Sequence, residues 1–133
     1  SITYSYDLNA GLMNWKIDVS SIGAPIIDGE NVFLVTENGY FVIINKISEK
    51  IISSTNILKL LKKRKKNTKI SGFIMGSEKL YSVTLNGYLI VSSAVTGKVE
   101  SFKKIGDRVT SSPVIIDGKM YVLTENSRIS KIK

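Results

Sequence analysis

FLVTENGY at residues 33–40, YSVTLNGY at 81–88 and YVLTENSR at 121–128 are near-copies of one another. Each carries a short apolar run, a threonine, a polar turn and the start of a second run. Phe33, Tyr81 and Tyr121 mark equivalent positions, and the steps between them are 48 and 40 residues. Self-similarity at such a period is the signature of a repeat architecture, and these steps fit propeller blades of four strands. The apolar runs Val32–Thr36, Leu80–Thr84 and Met120–Thr124 read as one strand of each unit. Tyr40–Asn45, Tyr88–Ser93 and Arg128–Ile132 read as the next. They are almost continuously apolar or β-branched, which is the pattern of strands covered on both faces.

Working outward, each unit has an entry strand and an exit strand. Ala24-Pro25-Ile26-Ile27 and Ser112-Pro113-Val114-Ile115-Ile116 place a proline at a strand's start, where its missing N–H costs least. Asp28-Gly29 and Asp117-Gly118 then supply tight turns, while Asn38-Gly39 and Asn86-Gly87 predict turns with positive φ at both central residues. The exit strand is fullest in Tyr6–Val19 and has a relative in Ser92–Phe102. Glu49 occupies the place that Gly11 and Gly97 hold in the other copies. The expectation is an all-β chain forming a partial β-propeller of four-stranded blades, about three blades plus partial blades. Its parts are a half blade (3–19), a blade (23–57), a basic inserted loop (58–69), a second blade (70–105) and an incomplete last blade (111–132).

Small-Pro-x-x-x-Asp-Gly, then aromatic-x-x-Thr-x-Asn-Gly, then Asp-x-x-x-Gly-x-x-x-Trp resembles the PQQ-like (WD40-like) propeller repeat over nearly the whole chain except residues 58–69. Within that superfamily the chain looks most like the C-terminal part of the BamB family of outer-membrane barrel-assembly lipoproteins. The run Pro113–Tyr121 into a last short strand carries that likeness. The chain departs from the pattern at Ser53 and Ser101, where the repeat has Trp, and at Asn45 and Ser93, where it has Asp. The resemblance implies a periplasmic, outer-membrane-associated scaffold, non-enzymatic and without a cofactor. Its partner would be the central barrel-assembly subunit. The same superfamily includes quinoprotein dehydrogenases, which carry a calcium site and a catalytic aspartate; a fragment of such an enzyme is the alternative, and a PQQ-like scaffold in another compartment is a third.

Composition narrows the chemistry. The 133 residues are 43% apolar, which suffices for a core, and no run approaches the roughly 18 apolar residues of a membrane span. Cysteine and histidine are both absent, so thiolate sites, disulfides and imidazole catalysis are excluded. No glycine group has phosphate-binding spacing. Asp28, Asp117, Asn38, Asn86 and Asn126 stand at turns, where such residues bond to nearby backbone. Glu37 and Glu125 stand beside them on an expected solvated rim, without a second carboxylate at pairing distance in sequence. Trp15 is expected to cover the edge of a neighbouring blade. No catalytic, cofactor-binding or metal-binding residue emerges from this reading.

The net charge of +8 is concentrated. Lys59, Lys62, Lys63, Arg64, Lys65, Lys66 and Lys69 hold seven of the nineteen basic residues, and the rest of the chain is nearly neutral. A solvated loop at a blade junction, with room for one turn of helix, is the plain expectation. The functional one is contact with an acidic partner protein or an anionic membrane surface, each basic residue near such a membrane contributing about 1 kcal/mol. Nucleic acid is disfavoured, because no aromatic side chains interleave with these charges to stack on bases. Closed propellers have about four to eight blades. The chain opens on Ser1, and the favoured expectation is that further blades lie N-terminal in a longer parent. Self-association through exposed blade edges is the other.

Overall fold

The computed structural model describes residues 3–7, 12–17, 22–62, 68–106, 108, 109, 112–123 and 129–132. The elements are β1 (Thr3–Asp7), β2 (Leu12–Ile17), β3 (Ile26–Asp28), β4 (Asn31–Val35), β5 (Tyr40–Asn45), β6 (Lys50–Asn56), α1 (Lys59–Lys62), β7 (Ile70–Gly76), β8 (Lys79–Thr84), β9 (Tyr88–Ser93), β10 (Val99–Lys104), β11 (Val114–Ile116), β12 (Lys119–Leu123) and β13 (Ile129–Ile132). They form an antiparallel hairpin β1-β2, two four-stranded sheets β3-β4-β5-β6 and β7-β8-β9-β10, and a three-stranded sheet β11-β12-β13. Each strand pairs antiparallel with its sequence neighbour, so every sheet is a meander and its turns alternate between two rims.

Register explains why the central strands are apolar throughout. In the first blade Ile26 pairs with Phe33, and Phe33 with Ile43, so these three point to one face. Ile27, Val32 and Ile44 pair in the same way and point to the other. The first face we call trailing, since it meets the next blade, and the second leading. Phe33, Val35, Phe41 and Ile43 join Leu80 and Ile90 of the second blade in one buried cluster. Val32, Leu34, Val42 and Ile44 form a separate buried cluster on the leading face. The second junction repeats the scheme with Val83 and Leu89 against Met120 and Val122. A strand buried on both faces cannot alternate apolar with polar, and β4 and β5 do not.

Packing at the first junction is large against small. The Phe33 and Phe41 rings stack at 6.1 Å between centroids. Ser82 and Ser92 of the second blade stand at the register positions that Leu34 and Ile44 hold in the first. Both are fully buried, and neither hydroxyl has a hydrogen-bond partner among the described residues. Their small side chains sit on the blade face that receives the two phenyl groups. Ser82→Ala keeps that volume and removes an unsatisfied hydroxyl, so it is expected to stabilise the protein by about 1 kcal/mol in a urea titration.

The turns correct one expectation. Asn38-Gly39 and Asn86-Gly87 do not place both residues at positive φ. Gly39 and Gly87 do so alone, at 91° and 86°. The Gly39 amide bonds to the Thr36 carbonyl and the Gly87 amide to Thr84, which makes Glu37-Asn38 and Leu85-Asn86 the turn centres. The threonine hydroxyls accept the Tyr40 and Tyr88 amides at 3.0 Å, closing the loop with a side chain. The entry hairpins also differ from one another. Asp117 and Gly118 both have positive φ, while in the first blade the register centres the turn on Gly29-Glu30 instead of Asp28-Gly29.

The repeat's Asp-x-x-x-Gly turn survives its substitutions for a local reason. Asn45 Oδ1 accepts the Ile47 and Ser48 amides at 2.9 Å, and Ser93 Oγ accepts the Val95 and Thr96 amides at 3.1 Å. The turn closes through Glu49 N to Asn45 O and Gly97 N to Ser93 O. Glu49 therefore takes the left-handed conformation at φ 62°, the place where the second blade has Gly97 at 81°. A Cβ on Gly97 would lie 2.5 Å from Ser53 Oγ, whereas Glu49 projects into solvent. Glu49→Gly is expected to stabilise the fold by up to about 1 kcal/mol by relieving the left-handed backbone. Gly97→Ala is expected to destabilise it by more than Glu49→Gly gains, and paired urea titrations compare the two.

Candidate functional site

The alternating turns decide which charges share a rim. One rim carries Asp28, Glu30, Glu49, Glu78 and Asp117. The other carries the turns around Glu37 and Asn86 and the connections that lead from each blade's outer strand to the next blade. The basic segment is the connection between the two four-stranded blades, so its described ends, Lys59 and Lys69, lie on the rim opposite those five acids.

Both ends of this connection are fixed. Leu58 and Leu61 are buried in the cluster between the first two blades, with Leu58 in contact range of Gly39. The Ile57 amide bonds to the Gly39 carbonyl, and Asn56 Oδ1 accepts the Leu58 amide. The segment thus starts as a helical turn, α1, pinned by two leucines. At the far end Thr68 is buried and donates to Asn86 Oδ1 at 2.6 Å. The Ile70 amide bonds to the Glu37 carbonyl. Lys69 pairs with Glu37 at 2.5 Å, both side chains about half exposed. An exposed pair of this kind adds about 0–1 kcal/mol, so the leucines, not the ion pair, hold the connection.

These anchors sort the seven basic residues. Lys59 stands on α1, exposed to solvent. Lys69 is bound to Glu37 and its charge is compensated. Lys62 closes α1, while Lys63, Arg64, Lys65 and Lys66 lie outside the described residues. Sequence reading missed two further cations on this rim. Lys104 donates to the Asn86 carbonyl at 2.5 Å and stands 5.0 Å over the Tyr88 ring, and Arg108 is exposed in the next connection. The signal was available, since both fall where the second blade leaves its outer strand.

The turn residues considered for chemistry are otherwise engaged. Asn86 Oδ1 accepts the hydroxyls of Thr68 and Thr84. Glu37 faces a lysine and not a second carboxylate. Among the described residues no three Asp or Glu side chains gather as a metal cage, and no helix there is long and apolar enough to cross a membrane. Asn126, Glu125 and the Trp15 side chain lie outside the description. Ser53, at the repeat's Trp position, donates to the Thr96 carbonyl at 3.3 Å, so the second blade's turn fills the place of an indole. At the next junction Ser101 instead lines a cleft of about 390 Å³ with Tyr81, Val91, Phe102, Ile115 and Met120.

Meander sheets stacked face to face, each four strands in its complete form, define an open arc of a β-propeller. Comparison with solved structures agrees. BamB from Moraxella catarrhalis aligns with a TM-score of 0.76 over 96% of this chain at 11% identity. The Saccharomyces cerevisiae protein Sqt1 aligns at 0.79 over 99% with 14% identity, and the computationally designed Ika4 protein at 0.75 over 97% with 12% identity. The chain spans 36% of BamB, 40% of Sqt1 and 77% of Ika4. No family model matches the sequence, and no curated protein does so either. At these identities the likeness is one of fold.

Leu61→Ala is expected to destabilise the protein by about 2–5 kcal/mol. Protease cleavage after the basic residues should accelerate alongside, because the same leucine pins the connection that carries them; limited trypsin digestion followed by mass spectrometry measures this.

Proposed function

We propose that this protein is a non-enzymatic interaction scaffold that binds another protein through the basic rim of its blade stack. One observation carries the reading. The repeat's polar signature residues Asn45, Asn86 and Ser93 spend their side chains on turn hydrogen bonds, while the rim from which the basic segment starts presents Lys59, Lys104 and Arg108 to solvent. Dense positive charge on a fixed base steers an acidic surface into contact and sets orientation more than it adds buried area.

The finer reading follows the sequence resemblance to the BamB family, and the fold likeness to BamB supports it. On that reading the protein works in the periplasm at the outer membrane. It docks on the central barrel-assembly subunit and aids the folding and insertion of β-barrel proteins. Lys59, Lys62, Lys63, Arg64, Lys65 and Lys66 form the contact, with Lys104 and Arg108 alongside; Lys69 contributes less, its charge being matched by Glu37.

Replacing Lys62, Lys63, Arg64, Lys65 and Lys66 together by serine is expected to leave the circular-dichroism spectrum unchanged. Affinity for the periplasmic region of the barrel-assembly subunit should fall about tenfold, with a flatter salt dependence. Biolayer interferometry at two salt concentrations reads both. Unchanged affinity refutes the basic-rim contact. Loss of binding to anionic vesicles, with protein binding intact, transfers the role of the rim to a membrane surface.

A further inference from the structure

The two junctions that lead from one blade to the next share a backbone plan. At the first, the Ile57 amide bonds to the Gly39 carbonyl and the Ile70 amide to the Glu37 carbonyl. At the second, the Ile105 amide bonds to the Gly87 carbonyl and the Val109 amide to the Leu85 carbonyl. These bonds, with the registers Tyr40↔Asn56 and Tyr88↔Lys104, make three pairs of positions equivalent. Glu37 corresponds to Leu85, Asn56 to Lys104 and Lys69 to Arg108.

The charge balance at the two junctions differs. At the first, Glu37 pairs with Lys69 at 2.5 Å, and Asn56 is neutral, its Oδ1 accepting the Leu58 amide. At the second, a partly buried leucine, Leu85, stands in the glutamate's place and a lysine in the asparagine's. Lys104 is fixed there by the Asn86 carbonyl, 5.0 Å from the centre of the Tyr88 ring. Arg108 is exposed, and among the described residues it pairs with no carboxylate. Of two equivalent cations, one has its acid within the chain and the other does not.

We infer that Arg108 takes a carboxylate from the partner protein, an aspartate or glutamate side chain that docks at the second junction as Glu37 docks on Lys69 at the first. The inference rests on the scaffold reading and names the chemistry its partner presents. The internal pair supplies the template, because the group that this turn sets against the cation of the next connection is a carboxylate. Arginine instead of lysine suits an acid arriving from outside. Its planar fork holds a carboxylate through two parallel hydrogen bonds and fixes the orientation of the incoming group. Lys104 adds a second charge at a set position, which favours one register of an acidic segment over others. Leu85 keeps the site open to that segment, since a glutamate here would satisfy Arg108 from within and compete.

The probe is a fluorescein-labelled glutamate-rich peptide, with its glutamine counterpart as control, and fluorescence anisotropy reads binding to the 133-residue protein. Leu85→Glu copies the turn that Glu37 already occupies, so the fold accommodates it. It is expected to weaken binding about threefold, the scale of one exposed ion pair, and Arg108→Gln should do the same. Glu37→Leu, which uncovers Lys69, should strengthen binding about threefold. Leu85→Glu made on top of Arg108→Gln should cost less than it does alone, because both act on one contact. Unchanged affinity on Arg108→Gln, full additivity of the two changes, or equal binding of the glutamine peptide overturns the inference. Binding to anionic phosphatidylglycerol vesicles that depends on Arg108, with no peptide binding, overturns it in favour of a phosphate. The serine variant of the basic segment separates this site from the broader reading. If that variant binds the peptide as the parent protein does while Arg108→Gln does not, the basic-segment contact fails and this inference stands; the reverse pattern overturns this inference alone.

Discussion

Everything in this protein depends on burying both faces of thin meander sheets against one another. A single antiparallel sheet of four short strands has one inside and one outside in most folds, and its outside faces water. Here Phe33, Val35, Phe41 and Ile43 fill one side of the first blade while Val32, Leu34, Val42 and Ile44 fill the other. All eight of these side chains are buried. The stack supplies what a separate core layer supplies elsewhere, and each apolar position is dried by the neighbouring repeat and not by its own. That dependence accounts for the uneven exposure of equivalent residues, covered where a neighbour exists and bare at Val114, Ile116 and Leu123.

A second consequence concerns where function can reside. Where both faces of a blade are committed to packing, as in the two four-stranded blades, the rims are left for recognition. The turns that build one rim use asparagine, serine and threonine to satisfy backbone groups, as Asn45 and Ser93 do with two amides each. Such residues look like chemistry in a sequence and prove to be scaffolding once their partners are known. What remains exposed is charge on long side chains, as at Lys59. The fold presents it on a connection whose ends, Leu58, Leu61 and Thr68, are drawn into the blade junction or bonded to the turn of the next blade.

The substitutions at the repeat's tryptophan position show how seams adapt. With Ser53 in that place, the turn ending at Gly97 moves into the gap, and the glycine is required both for its positive φ and for its closeness to the serine hydroxyl. With Ser101 there is no described turn to move in, and a cleft stays open. Glu49, exposed to solvent, tolerates the same left-handed backbone at a local cost. At Ser53 the loss of a large docking side chain is thus compensated by the small residue opposite it.

Most of the fold was legible in the sequence, because the period of the repeat and the unbroken apolar runs are local properties of the chain. Residues 33–40 and 81–88 declared a strand, a turn and a strand, and the near-continuous apolarity of β4 and β5 declared burial on both sides. The turn type was misread at Asn38-Gly39, since a two-residue signal cannot reveal that the Thr36 hydroxyl and carbonyl would lengthen the loop to three residues. The cluster of basic residues was equally plain, yet composition could not distinguish Lys69, matched by Glu37 across 32 positions of chain, from Lys59, which is exposed on its helical turn. Nor could it bring Lys104 and Arg108 to the same rim. By itself the sequence determined the blades, through pairings between neighbouring strands that need only short turns. The stacking of blade on blade, which decides the partner of each cation and which apolar faces stay bare, was set only in three dimensions, where groups far apart along the chain come within reach of each other.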